Sequence, residues 1–157
     1  MDEHPFRAAW RTRDVDTWVD ALSPDVVLRS PVVTGPFRGR AAARELFGVL
    51  FATFGELEVT DELRDGSTHA FFWRGELAGR SIEGADLLRY DAEGKVVEIS
   101  VLIRPLLSTA VFASAIGPRL ASRYGCARGV IVRLLTLPIT AMLALADVLA
   151  PRLIGLR

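Results

Sequence analysis

Asp86 is the residue whose setting most invites proton chemistry. It lies within Ile82 to Tyr90, a strand-like stretch in which it shares a face with Leu88 and Tyr90 while Leu87 and Arg89 point the other way. A carboxyl among apolar neighbours loses hydration, which favours its neutral form and lets it donate a proton or a hydrogen bond near neutral pH. A strand-end aspartate bonded to a turn is the structural alternative. Arg74 and Glu76 form a second constellation, two residues apart on one strand and hence on one face, with Phe72 beside them. An arginine next to a carboxylate keeps it ionised and oriented, as suits a base that activates water. Asp86 on the neighbouring strand would complete a Glu76/Asp86 acid–base pair. A surface ion pair, worth about 0–1 kcal/mol, accounts for Arg74 and Glu76 without any chemistry. His69 could act as a general acid or base at neutral pH. It alternates with Phe71 and Trp73 on the opposite face from Arg74 and Glu76, so it joins that site only if a bulge shifts the phase.

Other chemistries are excluded more firmly. Cys126 is the single cysteine, so no intramolecular disulfide forms and a cysteine-based zinc site lacks its ligands. It sits among glycines and arginines with no histidine to activate it, a poor setting for a nucleophile. His4 and His69 lie on separate elements without clustered acids, which gives no metal motif. The Gly35–Gly39 loop lacks the Gly-Lys-Ser/Thr ending of a phosphate loop. No metal or cofactor is expected.

The elements that must position these residues follow from periodicity. Residues 5–22 carry Phe6, Trp10, Val15, Trp18 and Leu22 at roughly helical spacing. Ser23-Pro24-Asp25 reads as a stop before a short strand, Val26 to Leu28, that ends at Ser30-Pro31. A second helix covers Arg40 to Phe54, with Gly55 as its stop. Four strands follow, Leu57–Leu63, Thr68–Ala78, Ile82–Tyr90 and Lys95–Arg104, separated by glycine-bearing turns. Helices followed by hairpins imply an α+β fold with a curved antiparallel sheet wrapped around helices. Two apolar helices complete the chain, Leu106–Ile116 closed by Gly117-Pro118, and Ala127–Ala150 interrupted by Pro138.

The net charge of zero argues against a general polyanion binder, and no nucleic-acid partner is expected. The zero hides an asymmetry. Residues 1–105 hold 13 Lys+Arg against 18 Asp+Glu, a net of −5, whereas residues 106–157 hold six arginines and one aspartate, a net of +5. Two parts are therefore expected, a body over 1–105 and a basic, apolar helical extension over 106–157. The extension could pack on the body or a partner subunit as a lid or dimer interface, lie on an anionic membrane, or enlarge the core. The acidic, polar N-terminus Met1 to Pro5 lacks the basic start and apolar run of a secretory signal, so a cytoplasmic protein, with the membrane surface open through the tail, is expected.

Three phrases carry a family resemblance: Asp25–Pro31, Gly35–Arg40 and Asp86–Val97. Over about residues 4–105 the chain resembles the nuclear transport factor 2-like superfamily, in its SnoaL-like and ketosteroid-isomerase-like branch. The resemblance implies a cone, a bent sheet and helices around one deep apolar pocket, often in a dimer. It further implies a hydrophobic small molecule as ligand and isomerase, cyclase, dehydratase or epoxide-hydrolase chemistry, or a non-catalytic binding role. Asp86 falls where the isomerase pattern has its protonated oxyanion-stabilising acid. The general base of that pattern falls on Ser30, and its hydrogen-bonding tyrosine on Phe6, so steroid isomerisation itself is not expected. Arg74 and Glu76 resemble the arginine–acid pair of limonene-epoxide-hydrolase-like members, whose second acid would fall near Val101. The pocket wall is expected from Phe6, Trp10, Trp18, Phe37, Phe51, Phe72, Leu88 and Tyr90, with Phe47, Phe54 and Trp73 in the same aromatic set, a lining suited to a hydrophobic organic ligand.

Overall fold

A computed structural model describes residues 12–155. The elements run α1 (Val15–Asp20), β1 (Leu22–Arg29), β2 (Phe37–Arg38), α2 (Gly39–Thr53), β3 (Leu57–Asp65), β4 (Thr68–Leu77), β5 (Arg80–Tyr90), β6 (Val96–Arg104), α3 (Leu106–Ser122) and α4 (Cys126–Leu153). The expected α+β fold is the one observed. A single curved sheet has strand order β2-β1-β6-β5-β4-β3, antiparallel throughout except for the parallel β1–β6 pair.

Local chemistry sets the ends of the elements. Asp14 caps α1 by accepting from the backbone N–H groups of Asp16 and Thr17. The anticipated stop at Ser23-Pro24-Asp25 does not end β1. The strand runs through it, and a register shift against β6 between Leu22 and Val27 absorbs the proline. The β4–β5 turn is two residues long, with Ala78 at φ +52° and Gly79 at φ +74°. Positive φ at both positions is the primed turn that matches the twist of paired strands.

Alternation then decides what faces inward. Along β4, His69, Phe71, Trp73 and Leu77 are buried, while Phe72, Arg74 and Glu76 are exposed. Along β5, Ile82, Asp86 and Leu88 are buried. The core gathers these residues with Trp18, Phe47 and Phe51 of the helices, and Trp18 meets Phe47 edge-on at 5.0 Å between centroids.

Both helices of the extension run further than the sequence suggests. Gly117-Pro118 lies inside α3, and Pro138 and Pro151 lie inside α4. The Pro118 carbonyl accepts from the Ser122 hydroxyl at 2.7 Å. The carbonyl freed by Pro138 belongs to exposed Leu134, where water can satisfy it. α3 packs on the body, burying Leu107, Val111, Phe112 and Ile116, and its Ser108 hydroxyl donates to the Ser81 carbonyl at 2.7 Å. α4 packs chiefly on α3. They meet closely at Gly129, where a Cβ would lie 1.9 Å from the Ser122 hydroxyl oxygen.

Candidate functional site

The site is built on one cross-strand pair and its neighbour. Phe71 of β4 lies opposite Asp86 of β5, and Trp73 lies opposite Gly84. Directly paired residues of an antiparallel ladder share a face, so Trp73 and Asp86 both point to the concave side. Gly84 makes room for the indole, since a Cβ there would sit 2.2 Å from Trp73 Cζ2 and 2.7 Å from the Leu102 carbonyl oxygen. Laid across that gap, Trp73 donates its Nε1–H to Asp86 Oδ1 at 3.2 Å, a fully buried bond.

Asp86 borders a cavity of about 370 Å³, within the range of small-molecule sites. Its walls are mainly apolar: Leu46, Phe47 and Leu50 of α2, Phe54 just after it, Leu28 of β1, Leu57 and Val59 of β3, Val101 and Ile103 of β6, and Phe112 of α3. Phe54 braces the indole edge-on at 6.2 Å and touches Phe112 at 5.8 Å, so α3 completes the enclosure. Ser30 and Pro31 add the remaining wall, and exposed Arg13, Gly55 and Glu56 mark where the cavity meets solvent. Arg13 is held there by bonds to the Phe51 and Gly55 carbonyls, both at 3.0 Å.

Asp86 is 8% exposed. Burial pushes its pKa from the ordinary 3.8 to about 7, with the Trp73 N–H acting weakly in the other direction. Near neutral pH the carboxyl is therefore partly protonated. Because Oδ1 already accepts the indole N–H, the proton belongs on Oδ2, and the group can donate or accept a proton at an apolar surface. Replacing Trp73 by Phe removes the one donor that favours the carboxylate, so Asp86 should titrate higher in that variant. A pH titration of the carboxyl in both proteins checks the direction.

The other anticipated catalytic residues fall elsewhere. Arg74 and Glu76 are on the convex face, where Arg74 bonds Glu58 at 2.9 Å and Glu76 lies opposite Ser81. The Glu76/Asp86 pairing is thereby ruled out, because the two side chains point to opposite sides of the sheet. His69 is on the concave side and 2% exposed, one inward position beyond Phe71, against whose ring it packs at 3.9 Å. Its Nε2 lies 2.6 Å from Glu62 Oε1, and burial lowers its pKa while Glu62 opposes. It does not border the cavity. Val101 stands directly across from Asp86, where a second acid would be useful, and carries no proton. Ser30 is a turn residue whose hydroxyl oxygen accepts from the Val32 N–H at 3.1 Å. Among the described residues no three His, Cys, Asp or Glu side chains are grouped as metal ligands.

The expected pocket wall also needs correction. Phe6 and Trp10 lie outside the described residues. Trp18, Phe51 and Leu88 are buried in the core, Phe37 and Tyr90 are half-buried, and Phe72 is on the convex face at 40% exposure. None of these six borders the cavity. The residue with the clearest unassigned role is Trp73, and the signal for it was Gly84, a mid-strand glycine facing an aromatic.

The family model of the SnoaL-like domain matches residues 4–99. The chain belongs to the SnoaL-like domain family. This family includes isomerases and cyclases. As a SnoaL-like protein the chain is similar to a steroid delta-isomerase from Pseudomonas aeruginosa, at 25% identity over 76% of this chain and 88% of that one, with a TM-score of 0.71. It is also similar in fold to a Silicibacter pomeroyi protein with a cystatin-like fold (20% identity, 68% and 75% covered, TM-score 0.65). The epoxide hydrolase/cyclase-like enzyme SalBIII, of pyran ring formation in salinomycin, shares the fold at 23% identity, with 64% and 84% covered and a TM-score of 0.55. Comparison with curated proteins returns no match. The fold and family expected from the three sequence phrases are those found.

Proposed function

We propose that this SnoaL-like protein is a small cofactor-independent enzyme that binds a hydrophobic, oxygen-bearing organic molecule and uses Asp86 as its proton-handling group. The observation that carries the reading is a carboxyl buried at the wall of an apolar cavity, with one oxygen bonded to Trp73 and the other available to a ligand. In such surroundings a neutral acid stabilises charge developing on a carbonyl, enolate or epoxide oxygen. The dry walls strengthen that bond, because water does not compete for it. Isomerisation, cyclisation, dehydration and epoxide opening all use this step, and similarity to a steroid delta-isomerase and to an epoxide hydrolase/cyclase-like enzyme supports the class. Asp86→Asn keeps the shape and the oxygen facing Trp73 but cannot transfer a proton. Against a panel of enolisable ketones and epoxides, any turnover should fall roughly a hundredfold in kcat, with KM little changed. Undiminished turnover would remove Asp86 from the mechanism.

A second reading, a non-catalytic binding module, is favoured by one observation. Val101 occupies the place facing Asp86, and no acid or base but Glu56 at the mouth joins Asp86 among the described cavity residues. The panel separates the two readings: a ligand that binds wild type and Asp86→Asn without being converted by either supports the binding module.

A further inference from the structure

The second helix of the extension carries most of the exposed large apolar side chains among the described residues. α4 has 28 residues, about 42 Å of helix, with a mean hydropathy of 2.0 over its most apolar stretch. Gly129 is the one buried residue along it. Half-buried Val132, Thr136, Thr140 and Leu143 form the stripe that meets α3, anchored by the Thr140 hydroxyl donating to the Ala110 carbonyl at 3.2 Å. Ile131, Leu134, Leu135, Met142, Leu145 and Val148 are each more than half exposed. Placed at about 3.6 residues per turn, the exposed apolar side chains cover about 200° of arc on the side away from α3.

Charge is sorted around this arc. Arg128 and Arg133 lie at its two borders, whereas Arg152 falls on the arc itself but only in the last turn, and all three are exposed. Asp147, the only acid of residues 106–157, continues the Thr136–Thr140–Leu143 stripe and so points away from the arc. We infer that this face of α4 lies in the interface of an anionic phospholipid bilayer, its apolar arc among the acyl chains and its bordering arginines at the phosphates. Two observations select this occupant. An arc of about 200° is far wider than the narrow seam that one partner helix covers, so a second copy would leave much of it wet, whereas a fluid lipid surface covers it whole. A membrane-crossing orientation conflicts with the packing, since α3 lies beside the first half of α4 while its other side is buried in the body. Crossing would carry α3 and the sheet into the bilayer along with Asp147. Lying in the interface keeps every packed contact and leaves Asp147 in water.

The test uses the full chain and floats it with two vesicle preparations, phosphatidylcholine alone and phosphatidylcholine with phosphatidylglycerol in equal parts. The protein should partition to the anionic vesicles more strongly. Exchanging Arg128, Arg133 and Arg152 for Gln should weaken anionic binding roughly fivefold per arginine, and exchange for Lys should restore it. Leu135→Glu with Met142→Glu should abolish binding to both, at exposed positions that do not disturb the fold. In a Cys126→Ser background, an environment-sensitive dye at Met142→Cys should report an apolar setting on vesicles, and the same dye at Asp147→Cys should not. Absence of flotation would overturn the inference. So would a dimer in solution that Met142→Glu converts to monomer without any vesicle binding. Equal burial of both dyes would replace the interfacial helix by a membrane span. Ligand binding by Asp86 variants is a separate readout, so either proposal can fail alone.

Discussion

Asp86→Asn should gain on the wild-type protein in stability as pH rises, by on the order of 4 kcal/mol between pH 3 and pH 8. The folded carboxyl titrates at about 7 against 3.8 for the ordinary group, with burial as the main cause. Between those two values the folded state holds a proton that the unfolded state has released. Stability therefore falls as pH rises from about 4, and the whole cost is present above about 7. Asparagine carries no charge at any pH, so the variant lacks this slope. Urea unfolding of both proteins across the range measures it: the wild-type-minus-variant difference should drift in favour of the variant as pH rises. Parallel curves would mean that Asp86 is as easily ionised in the fold as in water. A group retained at such a cost in stability is the pattern of a functional site rather than a packing residue.

Gly84→Val should be the most damaging single change away from Asp86 itself. Its Cβ alone would overlap the Trp73 ring at 2.2 Å and approach the Leu102 carbonyl oxygen at 2.7 Å. The second contact is backbone and cannot rotate aside. Overpacking of this kind costs about 1–3 kcal/mol or more, and the displaced indole abandons a buried hydrogen bond worth about 1–3 kcal/mol when left unmade. A loss of about 3 kcal/mol or more is expected in urea unfolding at every pH, in contrast to the pH-dependent effect at Asp86. Trp73 fluorescence should also shift as the ring leaves its place between Phe54 and β5. A variant as stable as wild type would mean that the indole does not rely on the gap at Gly84.

The sequence made the fold legible because its punctuation is plain. Asp65-Gly66, the turn at Gly79 and Asp91–Gly94 separate strands whose alternation shows a buried face, although Ala78, read as the last residue of its strand, belongs to the turn. The burial of Asp86 was also legible, since β5 is regular up to Arg89 and Asp86 keeps phase with Ile82 and Leu88. The failure of the Glu76/Asp86 pair has a specific cause. Which residues of two paired strands share a face depends on the number of residues in the turn, and changing that number by one reverses every assignment. The two-residue turn at Ala78-Gly79 puts Phe71 and Trp73 on the face of Asp86 and sends Glu76 to the other. Residue types alone do not fix that count. The cavity wall was less legible still. Leu50 looks inward from α2 and Phe54 from the residue that caps it, and Phe112 arrives from α3, a helix whose docking on the body no local pattern reveals.

The proposed chemistry requires Asp86 to be a neutral-pH acid at the cavity wall. Carbon-13 NMR of protein labelled at the aspartate carboxyls, followed across pH, tests it most directly. One resonance should titrate near pH 7 and vanish in Asp86→Asn. If every aspartate resonance has finished titrating below about pH 5, the buried acid does not exist and the proposed chemistry falls with it.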